Sequence, residues 1–335
     1  MLVIVAHHYV VNSGLLDLVN ESTVLGGNDI FLLLFGWGGK TGINCFVLIT
    51  GYFMCKSNIT AKKFGKLLGE LMFYHIVIYL IFLMTGYSTF SIKGFLKMLF
   101  PFFFTVDTNF TTCFLYFYLF IPFLNKLLQV LNEKEHLLLT GLCLFIYTIL
   151  PSFALATVTF NYVVWFCILY LIASYIRLYP KEIFDRTKLW GILSVISLLL
   201  SWGSVIVLSY LDRLIGSSGH SYFFVNDSNK ILAVVTGICL FMFFKNVKIP
   251  QSRFINTVAS SCFGVLLIHA NSDTMRQWLW KDLLNNTGMY DSALLPVHAV
   301  VSVLCIFAIC VVIDQLRINL LEKPVTRRLK NKHWS

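Results

Sequence analysis

Two adjacent histidines, His7 and His8, close a short apolar run, Met1 to Val11, at the start of the chain. A neutral imidazole, with an ordinary pKa near about 6.5, can take a proton from a hydroxyl at neutral pH, so either ring suits general-base chemistry. Neighbouring residues on a helix point about 100° apart, so one of the pair faces any given site. The next polar cluster is Gly36-Trp37-Gly38-Gly39-Lys40-Thr41-Gly42-Ile43-Asn44. Its glycines permit a tight turn or close helix approach. Lys40 is a cation at a membrane boundary, able to stabilise a developing oxyanion, and Asn44 is a further polar candidate. His269 ends the string Phe263-Gly264-Val265-Leu266-Leu267-Ile268-His269. A plain interfacial role remains open for each histidine, as does simple helix packing for the glycines. The sequence lacks a P-loop, a GxSxG nucleophile turn and any His/Glu/Asp set with metal-ligand spacing, so no metal is expected.

The elements that carry these residues are apolar. The 335 residues are 58% hydrophobic and 13% charged, against roughly 25% charged in soluble domains. That pattern specifies an all-α, polytopic integral membrane helix bundle in a lipid bilayer. The net charge of +10 follows from membrane topology, and no nucleic acid is expected as a partner. Nine cysteines without a CxxC pair read as small packing residues.

Apolar runs fall at about 30–54, 67–86, 111–131, 137–151, 162–179, 189–211, 231–244, 255–270 and 293–316, after the run 1–11. A span needs about 20 residues. The expectation is therefore about ten transmembrane helices with the first truncated, Met1 being an internal methionine or the run a stub. The stretch 95–106, with Pro101, reads as interfacial or re-entrant. Asn12 to Asp29 reads as an outer loop, and 271–292 as an amphipathic segment able to roof a site, with Met275, Trp278, Leu279 and Leu283 at helical spacing. Of the 26 Lys and Arg residues, 19 lie in alternate loops and the tail, beginning with Lys56, Lys126, Arg177, Lys245 and Arg317. The positive-inside rule then places both ends in the cytoplasm of a multi-pass cell-membrane protein. The chain reads as a single transmembrane domain over 1–335 ending in a basic cytoplasmic tail, 318–335. Asp314 and Arg317, three apart on one helix, are expected to pair structurally.

Four blocks, in order, resemble the membrane acyltransferase-3 family: IVAHHY, GWGGKTGINCFVLITGYFMCKS, LYFYLFIPFLNKLL and FGVLLIH. The second, with its GxxGxNxFxLxxGY pattern, is the most specific. The resemblance implies a bacterial surface-glycan O-acyltransferase. Its acyl donor would be acetyl-CoA or another acyl-CoA, with no bound cofactor, and its acceptor a glycan or lipid-linked sugar. The family's Arg-x10-His motif puts its histidine at His8, with His7 adjacent, and its arginine before Met1. The implied catalytic residues are thus His8 and His7, with Lys40, Asn44 and His269 as candidate polar site residues. A multi-pass transporter or flippase for a glycan or lipid-linked sugar is the competing reading, because ten spans with scattered polar residues suit it too. A non-catalytic membrane subunit is a third.

Overall fold

The computed structural model describes residues 1–100 and 110–325, and among these every regular element is helical. The chain opens with α1 (Leu2–Val11), α2 (Leu15–Glu21), α3 (Gly27–Gly36) and α4 (Gly39–Met54). Next come α5 (Ala61–Met84), α6 (Ile92–Leu99) and α7 (Phe110–Val130). Helix α8 (Glu133–Leu144) passes through a π-helical turn, Phe145–Ile149, and is followed by α9 (Tyr162–Leu178), α10 (Thr187–Leu214) and α11 (Ile231–Asn246). Then come α12 (Arg253–Ser260), α13 (Cys262–His269) and α14 (Asp273–Arg276), the last running into the π-helical segment Gln277–Leu283. Helix α15 (Leu295–Arg317) continues through a second such turn, Ile318–Glu322. Local chemistry sets several starts: the side chains of Thr60, Asn132, Asn161, Ser252 and Ser272 each accept a hydrogen bond from a backbone N–H in the first turn of the helix that follows.

The helices are sorted as lipid requires. On α10, Ser194, Ser197, Ser201 and Ser209 are buried, whereas Ile192 is 60% and Leu199 57% exposed. In water that arrangement would be inside out. In a bilayer the apolar face meets hydrocarbon and small polar residues line helix contacts. Ser201 accordingly meets Thr236 of α11 at 3.1 Å.

Six helical stretches are long and apolar enough to cross a membrane, and up to eight if each of two bent pairs is one span. Those pairs are α1 with α2, bent by 56°, and Arg253–His269 with Asp273–Met289, bent by 92°. Length and composition thus support a smaller number than the ten expected, because α9 and α11 have only 17 and 16 residues. The first run is not an isolated stub: Gly14, at φ +90°, turns the chain into α2, inside the stretch expected to be loop. Of the stretch expected to be re-entrant, 101–106 lies outside the described residues. Helicity continues beyond residue 317 to Val325, so the expected tail starts as helix; 326–335 lie outside the described residues.

Polar cross-links join the two sets of alternate loops separately. Lys181 pairs with Glu133, Lys245 with Asp185 and Lys66 with Glu322 at the end rich in basic residues. At the other end Asn28 donates to the Tyr290 carbonyl, Lys230 to the Pro151 carbonyl and Arg213 to the Val19 carbonyl. Near the basic end, Asp314 and Arg317 pair as expected, at 2.9 Å, but within a larger network. Arg317 also meets Glu70 at 3.0 Å and Glu322 at 3.1 Å, and Tyr74 donates to Asp314 at 2.7 Å. Gly264 makes room for it, since a Cβ there would lie 2.4 Å from the Asp314 carboxyl carbon.

Removing Arg317, the buried cation of this network, leaves Glu70 and Asp314 without an ion pair, while Glu322 keeps Lys66. Arg317→Ala should destabilise the bundle by about 3–5 kcal/mol, read as a lowered melting temperature in detergent micelles. Lys245→Ala, whose partner Asp185 is largely exposed, should change stability by no more than roughly 1 kcal/mol.

Candidate functional site

Helix α1 lies in a trough of glycines. A Cβ at Gly39 would fall 2.2 Å from the His7 ring, one at Gly42 2.8 Å from Ile4, one at Gly38 2.9 Å from Val3 and one at Gly36 3.0 Å from Val10. Each distance is shorter than ordinary carbon contact, so the glycine cluster exists to admit α1. His7 fastens the helix there, its Nδ1–H donating to the Gly36 carbonyl at 2.6 Å. Tyr9, on the same helix, bonds through its hydroxyl to His298 Nδ1 of α15 at 2.7 Å, and Asn286 donates to the Tyr9 carbonyl at 3.0 Å.

His8 turns the other way and meets His269 of α13, with Nδ1 2.9 Å from His269 Nε2. His269 Nδ1 lies 2.6 Å from the Val265 carbonyl. A carbonyl only accepts, so His269 Nδ1 carries the hydrogen. In the neutral ring Nε2 then accepts, and the donor is His8 Nδ1–H. The proton-free nitrogen of neutral His8 is therefore Nε2. The two histidines form a directed chain, Val265 carbonyl to His269 to His8, that selects one tautomer of His8 and leaves its Nε2 as a base.

Two cavities flank this pair. His8 lines a small polar one of about 210 Å³, with His7, Asn12, Lys40, Tyr162 and Arg276 among its walls. Lys40 Nζ donates to the Tyr162 hydroxyl at 2.8 Å and lies 3.8 Å from Asp227. Asn12 Nδ2 and Arg276 Nε are buried without a hydrogen-bond partner among the described residues. The cavity thus offers a base, two cations and unused N–H donors, a set suited to activating a hydroxyl and stabilising an oxyanion. His269 lines the other cavity, a largely apolar groove of about 1240 Å³ between α5 and α15.

His7, His8 and Lys40 come together around the small cavity, with His269 behind His8. Asn44 does not join them. Fully buried, it donates to the carbonyls of Ser228 and Ala233 and accepts from Trp165 Nε1 at 3.0 Å, clamping α4, α9 and α11. Both of its amide donors are occupied in that clamp. Tyr162 and Asn12 carry no signal in the sequence because each lies at an apolar segment end where belt or loop residues are commonplace, and Arg276 because only its apolar neighbours in 271–292 stand out by their helical spacing. The segment 271–292 borders both cavities: Arg276 lines the polar one, while Met275 and Trp278 line the groove.

A family model described as an acyltransferase domain matches residues 1–315. No curated protein and no solved structure matches the chain.

The glycine trough makes a local prediction. Gly39→Ala drives a methyl into the His7 ring and should destabilise the protein by about 1–3 kcal/mol, seen in a detergent melting curve. Gly65→Ala, with nothing within 4 Å of its added Cβ, should not lower the curve and, inside α5, should raise stability by up to about 1 kcal/mol.

Proposed function

This chain belongs to the acyltransferase-3 family, and on that premise we propose that it moves an acyl group from acyl-CoA to a hydroxyl of a cell-surface glycan, with His8 as general base. Acetyl is the group first to be tested. The observation that carries this reading is the hydrogen-bonded chain from the Val265 carbonyl through His269, which leaves His8 Nε2 proton-free on a ring lining the polar cavity. In the proposed reaction His8 Nε2 takes the proton of the acceptor hydroxyl as its oxygen attacks the thioester carbonyl. The resulting oxyanion sits near Lys40, which Tyr162 and Asp227 hold in place. Collapse expels the CoA thiolate, and the proton on His8 leaves with it as the thiol. His7, already bonded to Gly36, serves to seat α1.

The donor is proposed to enter from the end rich in basic residues, which suits the anionic phosphates of CoA, and to carry its thioester on the pantetheine arm through the bundle to His8. By the positive-inside rule that end is cytoplasmic and includes the C-terminus. We also count the apolar helices α9 and α11 as crossings; with the six long stretches and two bent pairs these make ten. Family membership leaves the transporter reading without support of its own.

His8→Ala should insert into membranes normally and lower acyl transfer by about 10²- to 10⁴-fold, measured as incorporation of labelled acetyl into surface glycans. His269→Ala, which frees the His8 tautomer, should cause a smaller loss. Undiminished glycan O-acylation in the His8→Ala strain would refute the assignment.

A further inference from the structure

We infer that the groove between α5 and α15 holds the hydrocarbon tail of a membrane-anchored acceptor, a lipid whose head group carries the hydroxyl presented to His8. The inference rests on the acyltransferase reading and adds the class of acceptor to it.

The groove follows α5 and the turn after it from Phe73 to Tyr87, and α15 and its π-helical continuation from His298 to Leu321. At 1.5 Å per residue the α15 wall is roughly 35 Å long, comparable with the ~30 Å hydrocarbon core of a bilayer. Its lips face lipid, with Ile309 57% and Leu316 54% exposed. A lateral opening within membrane-crossing helices meets hydrocarbon and not water, so an alkyl chain is the ligand it can admit.

The two ends of the groove differ, and the difference sets the orientation. At the basic end Arg317, the one cation among the groove's described lining residues, is already matched by Asp314, Glu70 and Glu322, so the groove itself offers no unmatched charge there to an anionic head group. At the opposite end the groove reaches His269 and His298 beneath Trp278. His269 is the residue bonded to His8. A chain with its head at the basic end would hold that head most of a bilayer thickness from His8. This argues against a long acyl donor, whose reactive carbonyl lies at its head. A chain with its head at the other end places the head group beside the histidine pair. There one segment borders both cavities, with Met275 and Trp278 toward the groove and Arg276 toward the polar cavity.

The test is photolabelling of the full chain in phosphatidylcholine vesicles with a dodecyl glucoside carrying a diazirine in its alkyl chain. Labelled peptides should map to 73–87 and 298–321. Unlabelled dodecyl glucoside should reduce labelling by at least about ten-fold, about 1.4 kcal/mol in occupancy, while methyl glucoside should not. Cys305→Trp, which fills the groove, should cause a similar loss, and mapping on the unaltered chain decides the matter should that variant not fold. His8→Ala should keep the label whether or not it loses acyl transfer, so failure of the base assignment and failure of the groove assignment read out separately. Label spread equally over α10 and other bilayer-facing helices, or indifferent to dodecyl glucoside, marks ordinary bilayer lipid and overturns the proposal.

Discussion

Hydrocarbon around the bundle offers no hydrogen bonds, so a polar side chain in the spans gains most from a partner inside the protein. Much of the architecture follows from that one constraint. The serines of α10 turn inward, with Ser201 against Thr236 of α11. Asn44 of α4 spends both donors and its carbonyl on α9, α11 and the loop before α11. Arg317 gathers Asp314, Glu70 and Glu322 at the base of α15. In water such groups could be left at the surface. Here each one fixes the rotation of the helix that carries it.

The same constraint gives the histidines their chemistry. His269 cannot leave its Nδ1–H unpaired, and the nearest acceptor is the carbonyl one turn back, at Val265. That bond settles which nitrogen of His269 accepts, and hence which nitrogen of His8 donates. The basic nitrogen of His8 is thus determined two hydrogen bonds away. The arrangement depends on α1 lying deep enough for His8 to reach α13, and this depth is set by the glycines at 36, 38, 39 and 42.

Polarity is divided between two cavities on either side of the histidine pair. The small one collects Lys40, Tyr162, Asn12 and Arg276 around His8. The large one is a hydrocarbon-lined groove that reaches His269. On the proposed reading the polar space is where charge develops and the apolar groove is where a lipid chain rests. The segment after α13 supplies walls to each, because its bend of 92° lays it across the end of the bundle.

The solvent is legible in the sequence, since 58% hydrophobic and 13% charged residues admit only a bilayer around an all-helical bundle. So are the positions of the apolar runs, nearly all of which coincide with helices, because hydropathy is a local property. The acyltransferase family is legible as well, through short blocks such as FGVLLIH whose residues are contiguous. The role of Asn44 was not, because its partners lie more than 100 positions away in α9 and beyond α10. Nor was α2, which depends on the left-handed turn at Gly14. The sequence offers His8, through the family motif, and His269 as separate candidate site residues, 261 positions apart, with nothing to join them. Tertiary structure alone brings them within a hydrogen bond and chooses the tautomer, because a proton's position is fixed by what packs against the ring and not by the residues beside it in the chain.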